Sequence, residues 1–88
     1  MAELNGRQVK TCGAFHALIR EALDFPDYYG GNLDALYDCL TDLPAGTELV
    51  IRHFGDIEQS LGPAYAGRIL RVLRAAAAEG RFSFRCED

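Results

Sequence analysis

The chain has 88 residues, 49% of them hydrophobic and 25% charged, which suits one domain with a real core (residues 1–88) and excludes a disordered chain. It has no apolar run long enough to cross a bilayer and no secretory signal in its first residues, so a soluble cytoplasmic protein with no membrane contact is expected. Its formal charge of -4 is segregated: Glu21 to Ile51 holds seven carboxylates and no Lys or Arg, which argues against nucleic acid as a direct partner there and favours a cationic surface.

Taken in chain order, the first residues read as a short strand running into an Asn5-Gly6 turn signal. Phe15, Leu18, Ile19, Ala22 and Leu23 then recur at helical spacing, with Thr11 or Gly13 near the start. Pro26 disfavours helical geometry at Phe25, so this helix ends by about Asp24. Tyr28-Tyr29-Gly30-Gly31-Asn32 reads as a loop whose two glycines permit sharp turning and close approach. Asn32 is a good N-cap for a second helix with the stripe Leu33, Leu36, Tyr37, Leu40 and Leu43, stopped by Pro44.

Glu48-Leu49-Val50-Ile51-Arg52 suits a central strand buried on both faces. A helical turn is expected between Asp56 and Leu61, before Gly62-Pro63. The last helix directs Ala66, Ile69, Leu70, Leu73, Ala76 and Ala77 inward, leaves Arg68, Arg71 and Arg74 largely off that stripe, and has Gly80 as its C′ residue. Phe82, Phe84 and Cys86 alternate with Arg81, Ser83 and Arg85, the pattern of a half-buried strand. Strands separated by helices give an α/β fold: a small three-stranded parallel sheet packed with three or four helices.

Three cysteines at wide spacing, without a CxxC pair or a His-Cys cluster, read as free thiols in a reducing compartment and not as a metal or redox site. Cys39 falls on the Leu36-Leu40-Leu43 side and reads as a core thiol. His16, near the apolar face, and His53, after the central strand, read as structural.

The second helix is unusual. Asp34, Asp38 and Asp42 are spaced i, i+4, i+8 and stack along one side, where like charges repel. Asp34 gains from the helix dipole in the first turn, but Asp38 and Asp42 do not. A local rule broken without local compensation points to function. Exposed tyrosines beside acids, in a glycine-shaped loop, suit an interface better than a catalytic site. Tyr29 is equally suited to core packing with a satisfied hydroxyl.

Tyr28-Tyr29-Gly30 followed by Asn32-Leu33-Asp34-Ala35-Leu36-Tyr37-Asp38-Cys39-Leu40 resembles the signature of the barstar family. The likeness extends through Asn5-Gly6, His16 and Leu18, and the segment from Arg74 to Gly80. The resemblance implies a parallel three-stranded sheet packed with helices. It also implies an intracellular inhibitor of a small, secreted, guanyl-specific ribonuclease of the barnase type, forming a 1:1 complex and monomeric when free. By this likeness Asp38 sits where an RNA phosphate binds, among the enzyme's basic groups and catalytic histidine. Asp34 pairs with an arginine of the base-recognition region, and Tyr28 packs on the catalytic histidine. Gly30, Asn32 and Leu33 give close contacts, with Tyr37 and Val72 at the contact or its rim. Tyr29, Asp42 and Leu43 complete the partner-binding set. No catalytic residue, metal or cofactor is implied.

Departures from the family pattern lie at the periphery. Ala75 stands where barstar has Glu, Tyr37 and Leu43 where it has Trp, and Gly31 where it has an acid. These suggest tuning to a ribonuclease other than barnase. Two alternatives remain: an immunity or antitoxin protein against another nuclease, using the same acidic helix, and a small metal-dependent enzyme using Asp34 and Asp38.

Overall fold

A computed structural model describes residues 1–87. Strand β1 (Ala2–Asn5) leads through a 3-10 turn (Gly6–Gln8) to helices α1 (Cys12–Leu23) and α2 (Leu33–Thr41). Strand β2 (Thr47–Arg52), helices α3 (Phe54–Leu61) and α4 (Pro63–Ala77) and strand β3 (Phe82–Glu87) follow. The strands form one parallel sheet in the order β1-β2-β3, so the architecture is α/β with a central β2, as the sequence predicts.

The chain turns from β1 into the helical layer at Gly6 because nothing larger fits. A Cβ there would lie 2.2 Å from the His53 carbonyl oxygen and 2.8 Å from that of Arg52. Helix α1 opens at Thr11, whose hydroxyl accepts from the Ala14 amide at 3.0 Å. It closes at Asp24, which is left-handed (φ 55), with the Phe25 amide donating to the Arg20 carbonyl at 2.9 Å, the geometry of a Schellman ending.

The third helix is longer than the turn the sequence suggests: it begins at Phe54 instead of Asp56. His53, left-handed at φ 58, ends β2 and reverses the chain, and no side chain caps the new helix. A start with neither a capping side chain nor a proline leaves no signature in sequence. Pro63 opens α4, where its missing amide costs nothing. Leu70 and Ala77 are only half-buried, at the margin of the α4 stripe, whereas Ala66, Ile69, Leu73 and Ala76 are buried. The cap of α4 is Ala78. The Glu79 and Gly80 amides then close a tighter final turn onto Ala76 and Ala77, so left-handed Gly80 (φ 93) comes one residue later than the C′ position.

Leu4, Leu49, Ile51 and Phe82 from the sheet meet Phe15, Ile19, Leu36, Leu40, Ile57, Ile69 and Leu73 from the helices in one core. On the other face of the sheet Val50 lies in register between Glu3 and Arg85 and is also buried. Arg52 there pairs with Glu3 at 3.0 Å and Glu87 at 3.2 Å, and Glu87 pairs with Arg85 at 2.7 Å. Charged side chains thus cover that face with their stems. Alternation fades along the edge strand β3: Phe82 is buried, Phe84 half-buried and Cys86 exposed.

Candidate protein-binding surface

The acidic helix α2 stands on the surface between α4 and the α1–α2 loop. Its N-cap is set locally, with Asn32 Oδ1 accepting from the Ala35 amide at 2.8 Å. Leu36 and Leu40 anchor it in the core. That anchoring turns Asp34, Asp38 and Asp42 outward, and all three are exposed. None forms an ion pair with any described residue. Asp42 is the C-cap residue, so the acidic row runs beyond the end of the helix.

The loop before α2 is fixed from beneath by His16, which is 4% exposed. Its Nδ1 lies 2.5 Å from the Tyr29 hydroxyl and its Nε2 lies 2.8 Å from the Tyr65 hydroxyl. A neutral imidazole donates through one nitrogen and accepts through the other, so one tyrosine accepts and the other donates. Burial holds the His16 imidazole below its usual pKa. The Tyr29 phenol is driven well above its ordinary range, first by burial and then by Cys39 and Tyr65. Tyr29 also packs on Phe25, ring centres 5.0 Å apart. Tyr28, its neighbour, is 84% exposed. One tyrosine therefore pins the loop and the other is offered to solvent.

Two clefts flank α2. One, of about 400 Å³, runs between α2 and α4: Leu33, Asp34, Tyr37 and Asp38 face Arg71, Val72 and Ala75. The other, of about 370 Å³, opens between α2 and the end of α1, where Tyr28, Asp38 and Asp42 meet Leu23, Asp24, Phe25, Pro26 and Pro44. Asp38 borders both. Among the sequence-predicted residues, Leu33, Asp34, Tyr37, Asp38 and Val72 share the first cleft, and Tyr28, Asp38, Asp42 and Leu43 the second. Leu43 contributes mainly to the core, at 7% exposed, and Gly30 and Asn32 lie exposed on the connecting loop. Cys39 is half-buried, short of the core position its spacing suggests. Its thiol is pushed up by burial first and then by Asp42 and Asp38.

Sequence reasoning missed Asp24 and Arg71 as parts of this surface. Asp24 reads as a helix end, and only the fold of α1 against α2 brings it beside Asp42. Arg71 lies off the apolar stripe of α4, which signals exposure but not proximity to α2. Among the described residues no group of three or more His, Cys, Asp or Glu side chains is placed to hold a metal ion. No helix there is long and apolar enough to cross a membrane.

Comparison with known proteins bears on the whole of this surface. The family model described as "Barstar (barnase inhibitor)" matches residues 1–88. The Bacillus subtilis (strain 168) protein named "Putative ribonuclease inhibitor YrdF" is 41% identical over 85 residues, covering 93% of this chain and 90% of that protein.

Proposed function

Because the chain belongs to the barstar family, we propose that it is a ribonuclease inhibitor, a single domain that binds its target and performs no chemistry itself. Its target is a small, secreted, guanyl-specific ribonuclease, which it meets in the cytoplasm of the producing cell as a monomer forming a 1:1 complex. Helix α2 and the Tyr28–Asn32 loop enter the active-site groove, and Asp38 stands in for an RNA phosphate.

The observation that carries this reading is Asp38: an exposed carboxylate on a helix anchored in the core, with no ion pair among the described residues, bordering both clefts, in a stretch of chain with no cation. A groove that binds RNA must be basic. A helix-borne carboxylate offers it negative charge and two acceptor oxygens, as phosphate does, without a bond to cleave. Fixing the loop through His16, Tyr29 and Tyr65 lowers the entropy lost on docking. Asp34 and Tyr28 extend the contact on either side, with Tyr29, Gly30, Asn32, Leu33, Tyr37, Asp42, Leu43 and Val72 around them.

The α4 wall favours a target other than barnase. Ala75 stands where the family pattern has Glu, and the cation Arg71 lines the same cleft. Titration into an RNA-cleavage assay, with barnase among a panel of guanyl-specific microbial ribonucleases, tests both statements. Stoichiometric inhibition by the wild type is expected. Asp38→Ala is expected to weaken it by more than about 2 kcal/mol, as for an interface hot spot, with the unfolding midpoint unchanged. A loss that merely tracked unfolding would remove Asp38 from this role. Wild-type inhibition of another nuclease class alone would make the protein an immunity factor for that nuclease.

A further inference from the structure

We infer that Tyr65, on α4, is a positioning residue for the loop before α2: through His16 it sets where the Tyr29 hydroxyl is held, and so how Tyr28 and Gly30 are presented to the target. The inference deepens the ribonuclease-inhibitor reading and rests on it. Tyr65 lines neither of the clefts that flank α2, so its influence on binding runs through the protein's own interior.

Three elements meet at one imidazole. His16 is carried by α1 beside buried Phe15, whose ring meets it edge-on with centres 5.2 Å apart. The loop supplies the Tyr29 hydroxyl to Nδ1, and the first turn of α4 supplies the Tyr65 hydroxyl to Nε2. The Tyr65 ring stands at 84° to the imidazole and packs half-buried against the core, on a helix anchored by Ala66 and Ile69. The loop also rests on His16 through its backbone: Gly31 is left-handed at φ 69, and a Cβ there would lie 4.0 Å from His16 Cβ. An apolar side chain at position 16 would fill the same space at no desolvation cost, but it would fix no direction. A buried imidazole with both nitrogens satisfied fixes the direction of each partner.

The partners of Tyr65 also fix the order of the protons. Its phenol is held above the ordinary range first by burial, then by the Cys12 thiol beside it, against the opposing charge of Arg68. A hydrogen bond that raises a phenol is one in which the phenol keeps its proton and donates it. Tyr65 bonds Cys12 in that sense, so its lone pairs are left to accept from His16 Nε2–H. Nδ1 then carries no proton, and the Tyr29 hydroxyl donates to it. Each link from Cys12 to the loop is thereby directional.

The test uses the whole protein with isotope-labelled ring and backbone nitrogens. Free wild type is expected to hold one His16 tautomer, Nε2 protonated and Nδ1 bare. The opposite tautomer, or an equal mixture, overturns the inference without any variant. Tyr65→Phe keeps the ring and removes the hydroxyl. It should mix the tautomers, shift and broaden the amides of residues 28–32, and weaken ribonuclease inhibition about fivefold, as when the docking-competent loop falls to about one-fifth of the population. Ile69→Val, a loss of packing on the same helix, should lower the unfolding midpoint and leave both the loop amides and inhibition unchanged. In a Tyr29→Phe background, Tyr65→Phe should add no further loss of inhibition, because its path to the enzyme runs through the Tyr29 hydroxyl. Loop amides unmoved in Tyr65→Phe, the same loop changes in Ile69→Val, or additive losses in the double variant overturn the inference. Wild type that inhibits no ribonuclease is a failure of the inhibitor reading instead, and the tautomer and loop amides still decide whether Tyr65 positions the loop.

Discussion

At the scale of single residues, His16 shows what sequence conveys and what it withholds. Its place near an apolar stripe marks it as a structural histidine. Its two partners are invisible, because Tyr29 and Tyr65 lie 13 and 49 residues away and nothing in local spacing ties them to it. The consequence is measurable. Burial lowers the His16 pKa in the fold from 6.5, so the unfolded chain binds a proton that the folded chain resists. The stability held by neutral His16 is fully present above pH 6.5 and is lost as pH falls through the folded-state pKa. Urea midpoints measured across that interval should fall on acidification in the wild type and fall less in His16→Gln. Equal slopes would remove His16 as the cause. Glycines divide just as sharply. Gly6→Ala forces a methyl group into backbone oxygens and should cost about 3 kcal/mol or more. At Gly30 an added Cβ meets only Asn32 Nδ2 at 3.4 Å and Ala35 Cβ at 3.6 Å. Gly30→Ala should therefore change stability by less than about 1 kcal/mol yet weaken inhibition, because in the proposed docking mode the methyl group projects toward the enzyme. Inhibition unchanged in Gly30→Ala would take that loop out of close contact.

At the scale of elements, the helices whose starts carry a local signal, a capping side chain in α1 and α2 or Pro63 in α4, were legible, and α3, which has neither, was legible only in part. Asn32 caps α2 as predicted, and of the two residues expected near the start of α1, Thr11 and Gly13, it is Thr11 whose side chain caps it. Helix α3 has no such residue and begins two residues before its expected start. The acidic row of α2 was legible as an anomaly, because its cost follows from spacing alone. That cost differs along the helix. Asp34 gains from the N-terminal dipole about what it loses by repelling Asp38, so Asp34→Asn should leave stability nearly unchanged. Asp42 opposes the dipole at the C-terminus and also repels Asp38, so Asp42→Asn should stabilise the free protein by about 0.5 kcal/mol. Urea denaturation of the two variants side by side checks the contrast. A destabilised Asp42→Asn would mean that the carboxylate caps the helix in a way that outweighs its charge.

At the scale of the molecule, the parallel sheet follows from alternating strand and helix patterns and the central place of β2 from its continuous apolar run, but the pair of clefts does not. Both depend on how α1 and α4 pack beside α2, which no periodicity specifies. Charge segregation was legible throughout, and it makes a kinetic prediction. Glu21 to Ile51 holds seven carboxylates and no cation, while the rest of the chain carries nine basic residues against six acidic ones. The acidic stretch includes all of α2, while Arg71 of α4 borders the same cleft as Asp34 and Asp38. In the proposed docking mode a basic groove attracts the α2 carboxylates and repels Arg71, which biases the approach before contact. Added salt shortens the Debye length from about 30 Å at 0.01 M to about 3 Å at 1 M. Steering should fade over that range, while contacts already desolvated in the complex are screened much less. Stopped-flow association with whichever ribonuclease the protein inhibits should show kon falling about tenfold or more over this range, with koff changing far less. Arg71→Ala should raise kon at low salt and leave it unchanged at high salt, since it removes a repelling charge. A salt-independent kon would mean that the acidic helix acts only after contact. A lower kon in Arg71→Ala would mean that the target presents an acid opposite α4, the feature that would set its partner apart from a uniformly basic groove.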